Sequence, residues 1–258
     1  MHNLLPPLDL HAHVSATVPA DELEKLGAVV FAATRSLVEY ETVMDRSDRV
    51  TVWGLGCHPA APEALSAFSP RRFEALVETT AFVSEVGLDG RAPSPLEVQE
   101  GVFNEVLARL KRVPRIVSVH SSGATGRVID VLDRHRVDGA ILHWWRGSKA
   151  QTRRAIELGC WFSINLDGVR FPEQVTEIPL DRVLTETDHP YGNRKSLALR
   201  QPGAVEDVEE ALGEAFGLDP VSVRKQVWMN FVDLISATGV SRLLPEPVQR
   251  MAGAARRM

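Results

Sequence analysis

Leu8-Asp9-Leu10-His11-Ala12-His13-Val14 is the first apolar run of the chain, and it carries two histidines two positions apart. Side chains on an extended segment alternate between faces, so residues at i and i+2 share a side and both imidazoles point one way. Two neutral imidazoles so placed are half of a divalent-metal site. Alone, the pair fits a chance coincidence near an N-terminus equally well. The rest of the chain decides the fold. Further apolar or β-branched runs recur at Ala28–Ala33, Val50–Leu55, Ala81–Val86, Arg115–Val119, Gly139–His143, Cys160–Ile164 and Val183–Thr187. Longer segments with helical spacing separate them, among them Pro95–Leu110, Ala124–Leu132 and Lys149–Leu158, the last with Ser148 at a helix N-cap position. Strands alternating with helices imply parallel βα units, closed as a barrel or spread as an open doubly wound sheet. A count of eight strands and 258 residues, near the ~250 typical of the fold, favour the α/β TIM-type (β/α)8 barrel.

Composition narrows the class. At 44% hydrophobic and 24% charged, the chain reads as a soluble globular protein. No apolar run approaches the ~18 residues of a membrane span and no signal-peptide pattern opens the chain, so a cytoplasmic location is expected. Two cysteines, Cys57 and Cys160, make no disulfide framework and suit small apolar packing roles. A net charge of −5 argues against a surface coated for duplex binding, while leaving room for a local cationic pocket. No linker or composition shift divides the chain. One domain over 1–244 is expected, closed by helices at Val205–Phe216 and Asp219–Ala237, with 245–258 as a loosely held tail.

The polar residues fall at the ends of the runs. His11 and His13 lie toward the end of the first, Cys57-His58-Pro59 comes after the third, and Glu85 ends the fourth. His120 ends the fifth, His143 the sixth, and Glu186 and Asp188 the eighth. In a barrel these C-terminal strand ends converge on the face that carries chemistry. Four imidazoles (His11, His13, His120, His143) and two carboxylates (Glu85, Asp188) suit two divalent ions, with Glu85 as the bridge. Such ions acidify water and neutralise charge on a substrate oxygen, and Asp188 is placed to take the proton. Each residue has a plainer explanation: His120 as a hydrogen-bonded loop residue, Glu85 as a salt-bridged carboxylate, His58 as a turn former before Pro59. Coincidence at so many strand ends is far less probable than any one of these.

The blocks Asp9-Leu10-His11-Ala12-His13, Gly56-Cys57-His58-Pro59, Ser84-Glu85-Val86-Gly87-Leu88-Asp89, Val119-His120-Ser121, His143-Trp144-Trp145-Arg146-Gly147-Ser148, Leu184-Thr185-Glu186-Thr187-Asp188 and Asn230-Phe231-Val232-Asp233-Leu234-Ile235 occur in that order. In order and wording the chain resembles the TatD-type metal-dependent deoxyribonucleases over nearly its whole length. The compact middle and Gly159-Cys160-Trp161-Phe162-Ser163 look most like the short QatD-like branch of the Qat anti-phage systems. The resemblance implies a TIM-type barrel hydrolysing DNA phosphodiester bonds with two divalent cations (Zn, Mg or Mn). It admits 3′-to-5′ exonuclease action on single strands or ends, and partners among other proteins of a Qat-type operon. By the same likeness His11, His13, Glu85 and Asp188 hold one ion, and Glu85, His120 and His143 the other. His58 is then a substrate or outer contact, and Glu186 orients a ligand.

One departure stands out. Many relatives carry Ser-Arg-Asp after the fifth-strand histidine, whereas this chain has Ser121-Ser122-Gly123, losing a bidentate partner for phosphate. Arg146 is the candidate replacement, with Arg127, Arg194 and Lys195 as further basic residues and Trp144 or Trp145 as a base-stacking surface. Two rival functions remain open from sequence: an amidohydrolase-type enzyme acting on a small ester, amide or lactone, and a catalytically idle subunit of a defence complex. Many amidohydrolase sites bridge their metals with a modified lysine, and no strand candidate supplies one here.

Overall fold

The structure, a computed structural model, describes residues 5–192 and 201–258. Every expected strand is present: β1 (Leu8–Ala12), β2 (Val29–Ala33), β3 (Thr51–Gly54), β4 (Phe82–Gly87), β5 (Ile116–His120), β6 (Ala140–Leu142), β7 (Trp161–Ile164) and β8 (Val183–Thr185). All neighbouring pairs are parallel, in the orders β1-β2-β3 and β4-β5-β6-β7-β8. Two seams join these groups into a TIM-type barrel. At one, Leu55 N–H donates to Phe82 O and Ser84 N–H to Leu55 O, each at 3.0 Å. At the other, Thr185 Oγ1 donates to Leu8 O (2.6 Å), and beyond it Asp188 N–H donates to His11 O and His13 N–H to His189 O, both at 2.8 Å.

The strands are buried on both faces because helices cover the outside and the interior is filled by side chains. Phe31 from β2 meets Phe82 edge-on at 5.2 Å and Phe231 at 5.4 Å. The periodic segments form helices at Leu96–Leu110, Thr125–His135 and Lys149–Glu157. Ser148 caps the last of these in a reciprocal box with Gln151, as its position predicts. The late Asn-Phe-x-Asp signature lies on the helix Pro220–Thr238, where buried Asn230 donates from Nδ2 to Leu180 O (2.8 Å) and Val183 O (2.7 Å). It pins the start of β8, the strand that delivers Glu186 and Asp188.

The expectation of a loose tail at 245–258 is corrected. Glu246–Ala255 is a helix, with Val248 and Ala255 buried and Arg250 paired to Glu246. Its inward residues are mostly small, so its apolar stripe is faint in sequence. Among the described residues no helix is long and apolar enough to cross a membrane.

Candidate metal centre

Two strand irregularities aim the site. The register of β1 shifts between Asp9 and Ala12, and that of β4 between Val83 and Val86. Such bulges re-aim a side chain out of strict alternation. Glu85 lies inside the second shift with φ 38°, and Asp188 (φ 45°) and Trp144 (φ 42°) also take the left-handed region. Non-glycine residues there cost of order 1–3 kcal/mol and persist where surrounding structure fixes them. Gly87 (φ 136°) has no room for a side chain: a Cβ would sit 2.2 Å from His120 O, so the ends of β4 and β5 pack backbone to backbone.

The six residues named as ligands from sequence are brought together around Glu85. On one side His13 Nε2 lies 2.9 Å and His11 Nε2 3.7 Å from Glu85 Oε2, and both imidazole nitrogens are 3.8 Å from Asp188 Oδ1. On the other side His120 Nδ1 lies 3.0 Å and His143 Nε2 3.5 Å from Glu85 Oε1, with 3.2 Å between the two nitrogens. The two carboxylate oxygens of Glu85 thus face different ligand sets. His11 Nε2, Glu85 Oε2 and Asp188 Oδ1 are buried and make no hydrogen bond. Buried polar atoms are normally paired. Lone pairs converging on one point without a donor are complementary to a cation, and this donor set of imidazole and carboxylate fits Zn, Mn or similar divalent ions.

The outer contacts set the tautomers that such binding requires. His120 Nε2 donates to Asp89 Oδ2 (2.9 Å), so its Nδ1 facing Glu85 is left as an acceptor, and His11 Nδ1 bonds the Ser118 hydroxyl (2.7 Å), a partner able to accept from it and leave Nε2 free. His58 differs. The Ala60 N–H donates to its Nδ1 (2.9 Å), so the neutral ring carries hydrogen on Nε2 and donates to Glu85 Oε1 (3.0 Å). Although His58 clusters with Glu85 and His120, it is protonated on the side a metal would need, which suits an outer or substrate contact. Glu186, expected to orient a ligand, lies beside His143 and reaches the backbone next to it. Its Oε1 accepts from Trp144 N–H (2.8 Å) and Asn165 Nδ2 (3.1 Å), Ser163 donates to Oε2, and His143 Nδ1 stays 3.9 Å away. Glu186 therefore fixes the strained backbone beside His143 more directly than the ring.

The charges divide unevenly. Burial alone would raise the Glu85 carboxyl, yet His58 and His13 outweigh it and hold it well below the usual carboxylate range. Burial pushes Asp188 well above that range; Glu85 and Glu186 add to the push against the pull of His143. His11, wholly buried and facing His143, is lowered to about 4. The two carboxyls are thus pushed in opposite directions by their surroundings.

Sequence reasoning missed Asp89, Ser118 and the task of Asp9. Asp89 is held by Gln99, whose Oε1 accepts Asp89 N–H (2.7 Å), and only that curl turns its carboxylate onto His120. Its place four residues after Glu85 was the available signal. Asp9 is buried beneath the site and accepts from the N–H (2.8 Å) and Oγ1 (2.6 Å) of Thr187, from Gly203 N–H (2.8 Å) and from His11 N–H (3.3 Å). It welds β1 to the turn that carries Asp188.

The proposed phosphate ligands fare unevenly. Arg127 is tied to Glu100 and Glu97 and lines neither cleft at the centre, a correction explained by its position on the outer face of its helix. Arg146 lines the cleft but is paired with Asp167 (2.5 Å) and lies over Phe171. Arg194 and Lys195 fall outside the described residues. Trp145 is buried, donating to Thr152 Oγ1 (2.9 Å), so it is the packing member of the pair, and Trp144 faces the cleft.

A parallel barrel with a histidine–carboxylate cluster at its C-terminal mouth defines a metal-dependent hydrolase. The family model for TatD related DNase matches residues 8–236, and the chain belongs to that family. It is 24% identical to the mouse protein TATDN3 over 86% of each chain. It is 29% identical to the 3'-5' ssDNA/RNA exonuclease TatD of Klebsiella pneumoniae, over 53% of this chain and 58% of that protein. The match to the uncharacterized metal-dependent hydrolase YabD of Bacillus subtilis, 28% identical over 53% of this chain, likewise spans only 58% of that relative. Among solved structures, the TatD homolog YJJV of Escherichia coli superposes with a TM-score of 0.78 at 21% identity, covering 90% of this chain and 98% of that one.

Proposed function

We propose that this chain is a two-metal deoxyribonuclease that cleaves phosphodiester bonds of single-stranded DNA or DNA ends. The observation that carries the reading is Glu85, whose Oε2 faces His11, His13 and Asp188 while its Oε1 faces His120 and His143. Bound to these two sets, divalent ions would acidify water and draw charge from a phosphoryl oxygen. The chain's own residues do the rest. The Asp188 carboxylate, beside His11 and His13, is placed to take the proton of the attacking water. His58 keeps an Nε2–H at the centre, available to Glu85 or to a substrate oxygen. Trp144, at the mouth, offers a face for a base. Among the described residues no lysine lines either cleft at the centre, which favours the nuclease over an amidohydrolase-type site bridged by a modified lysine. The name of the Klebsiella relative, an exonuclease on ssDNA and RNA, supports the substrate class. Work within an anti-phage defence system is the biological setting we infer from the QatD-like segments.

Elemental analysis should find two equivalents of divalent ion, falling in Glu85→Gln. Metal-loaded protein should shorten end-labelled single-stranded DNA and stop on chelation. Turnover of a generic ester without any DNA cleavage rejects the reading. Loss of phage protection in Asp188→Asn, within its native operon, tests the setting; full protection there means the chain serves as an idle subunit.

A further inference from the structure

Four carboxylates crowd the mouth of the barrel: Glu85, Asp89, Glu186 and Asp188. In a chain of net charge −5, cations that face this centre from outside the ligand set would add to the pull of any divalent ions there on a polynucleotide. The arginines expected from sequence do not serve, because Arg127 and Arg146 are neutralised by carboxylates. Two others do. Arg91 lines a cleft of about 540 Å³ with His120, Ser122, Gly123 and Trp144. Arg35 lines a second of about 320 Å³ with His58, Glu85, Asp188 and Tyr191. Both clefts include His120, His143 and Trp144, so they join at the centre, with Arg91 lining only the first and Arg35 only the second.

Both arginines are anchored by backbone while their charge stays uncommitted. Arg91 N–H donates to Asp89 Oδ1 (2.7 Å), and the preceding Gly90 N–H donates to Ser122 O (2.8 Å). The Gly90–Gly123 contact leaves no space for a side chain at Gly90, where a Cβ would come within 2.5 Å of Gly123 O. The loop after β4 is thereby buttoned onto the loop after β5, at the positions where the Ser-Arg-Asp arginine is absent. Arg35 O accepts from His58 N–H (3.0 Å), and Arg35 N–H donates to Glu39 (2.6 Å). Both side chains are exposed, and among the described residues neither guanidinium has an ion pair or hydrogen bond.

We propose that Arg35 and Arg91 grip phosphates on the two sides of the scissile bond, so that the site selects an oligonucleotide strand over a diester with a single phosphate. The arginine lost after His120 is replaced across the loop contact by Arg91. This rests on the phosphodiesterase reading, and binding is measured separately from cleavage to keep the two apart.

The probes are a fluorescein-labelled single-stranded oligonucleotide and bis(p-nitrophenyl) phosphate, with metal-loaded wild type, Arg35→Ala, Arg91→Ala and, as an outer-surface control, Arg134→Ala. A charge-assisted phosphate contact at an exposed rim is expected to give roughly three- to tenfold in KM and Kd for the oligonucleotide per arginine. The shift for the single-phosphate diester should be smaller, and kcat should fall less than KM rises. The slope of log Kd against log salt should drop by about 0.7 per arginine removed, the single-strand value for one phosphate. Arg134→Ala should match wild type. Oligonucleotide KM, Kd and salt slope unchanged in both variants, or equal KM shifts for the two substrates, overturn the grip and leave the nuclease reading standing. Binding with the expected slopes but no cleavage by wild type overturns the nuclease reading and leaves the grip. Wild type that neither binds nor cleaves overturns both.

Discussion

Asp89→Asn separates an outer contact from a mere surface carboxylate. Asp89 Oδ2 accepts from His120 Nε2 (2.9 Å), and Oδ1 accepts from Arg91 N–H (2.7 Å). An amide has one oxygen and one NH2, so it cannot accept at both places. Turned one way, its NH2 faces the Arg91 N–H and that bond is lost. Turned the other way, it meets His120 Nε2–H, and relief requires the ring to move its hydrogen to Nδ1, the nitrogen 3.0 Å from Glu85 Oε1. The first leaves His120 a neutral acceptor in place of a carboxylate and the second reverses its tautomer; both weaken the second ligand set and spare His11, His13 and Asp188. A charge-assisted bond of this kind contributes about 1.5–3 kcal/mol. Both side chains are slightly open to water (13% and 14% exposed), which recovers part of the loss. A net of about 1.4–2.7 kcal/mol corresponds to a 10- to 100-fold weaker second ion, the range known for outer contacts of metal-bound histidines. Calorimetric titration of metal into apoprotein resolves the two ions. The expected trace keeps one affinity and weakens the other, with single-stranded DNA cleavage falling in step. Two unchanged affinities in a folded Asp89→Asn protein refute the account of His120.

Three further outcomes are expected from contacts elsewhere in the barrel. Asp9→Asn leaves at least one of its buried donors without an acceptor and should lower stability by about 1–3 kcal/mol in urea unfolding, with Gly203 and Thr187 losing amide protection first. Asp48 accepts from Arg46 Nε (2.7 Å) and Trp53 Nε1 (2.7 Å); against the upward push of burial, these hold its carboxyl below the ordinary value. Its stabilisation is therefore complete above the unfolded value near 3.9 and lost as pH falls toward the lower folded value, so Asp48→Asn should flatten the fall in stability between roughly pH 5 and 3. Metal at a hundred times its Kd should add about 2.7 kcal/mol per ion in thermal unfolding, reversed by chelator, and Glu85→Gln should abolish most of that gain.

The barrel was legible because both signals behind it are local. Strand runs such as Val29–Ala33 are apolar throughout, and helices such as Leu96–Leu110 show their period directly. The candidate cluster was legible because barrel topology turns strand ends into neighbours, so His11, His120 and His143 need no knowledge of loops to be brought together. The features that escaped depend on loop conformation. Nothing local in sequence says that Gln99 curls the Asp89 loop, that Ala60 fixes the tautomer of His58, or that Gly90 docks on Gly123 and carries Arg91 with it. Arg127 was misplaced for the complementary reason: its distance along the chain from His120 is short, but its helix turns it toward Glu97 and Glu100. The helix Glu246–Ala255 was missed because Ala252 and Ala255 bury little apolar surface each.

The seam between β1 and β8 has a consequence for how the protein is born. His58, Glu85, His120 and His143 all leave the ribosome before residue 144, whereas His11 and His13 must wait for Asp188, and Asp9 for Gly203. Synthesis at about 5–20 residues per second makes that interval several seconds long. For its duration the nascent chain holds the residues around Glu85 Oε1 but only a half-built partner set, so the full cluster of histidines and carboxylates comes together only when the ring is shut.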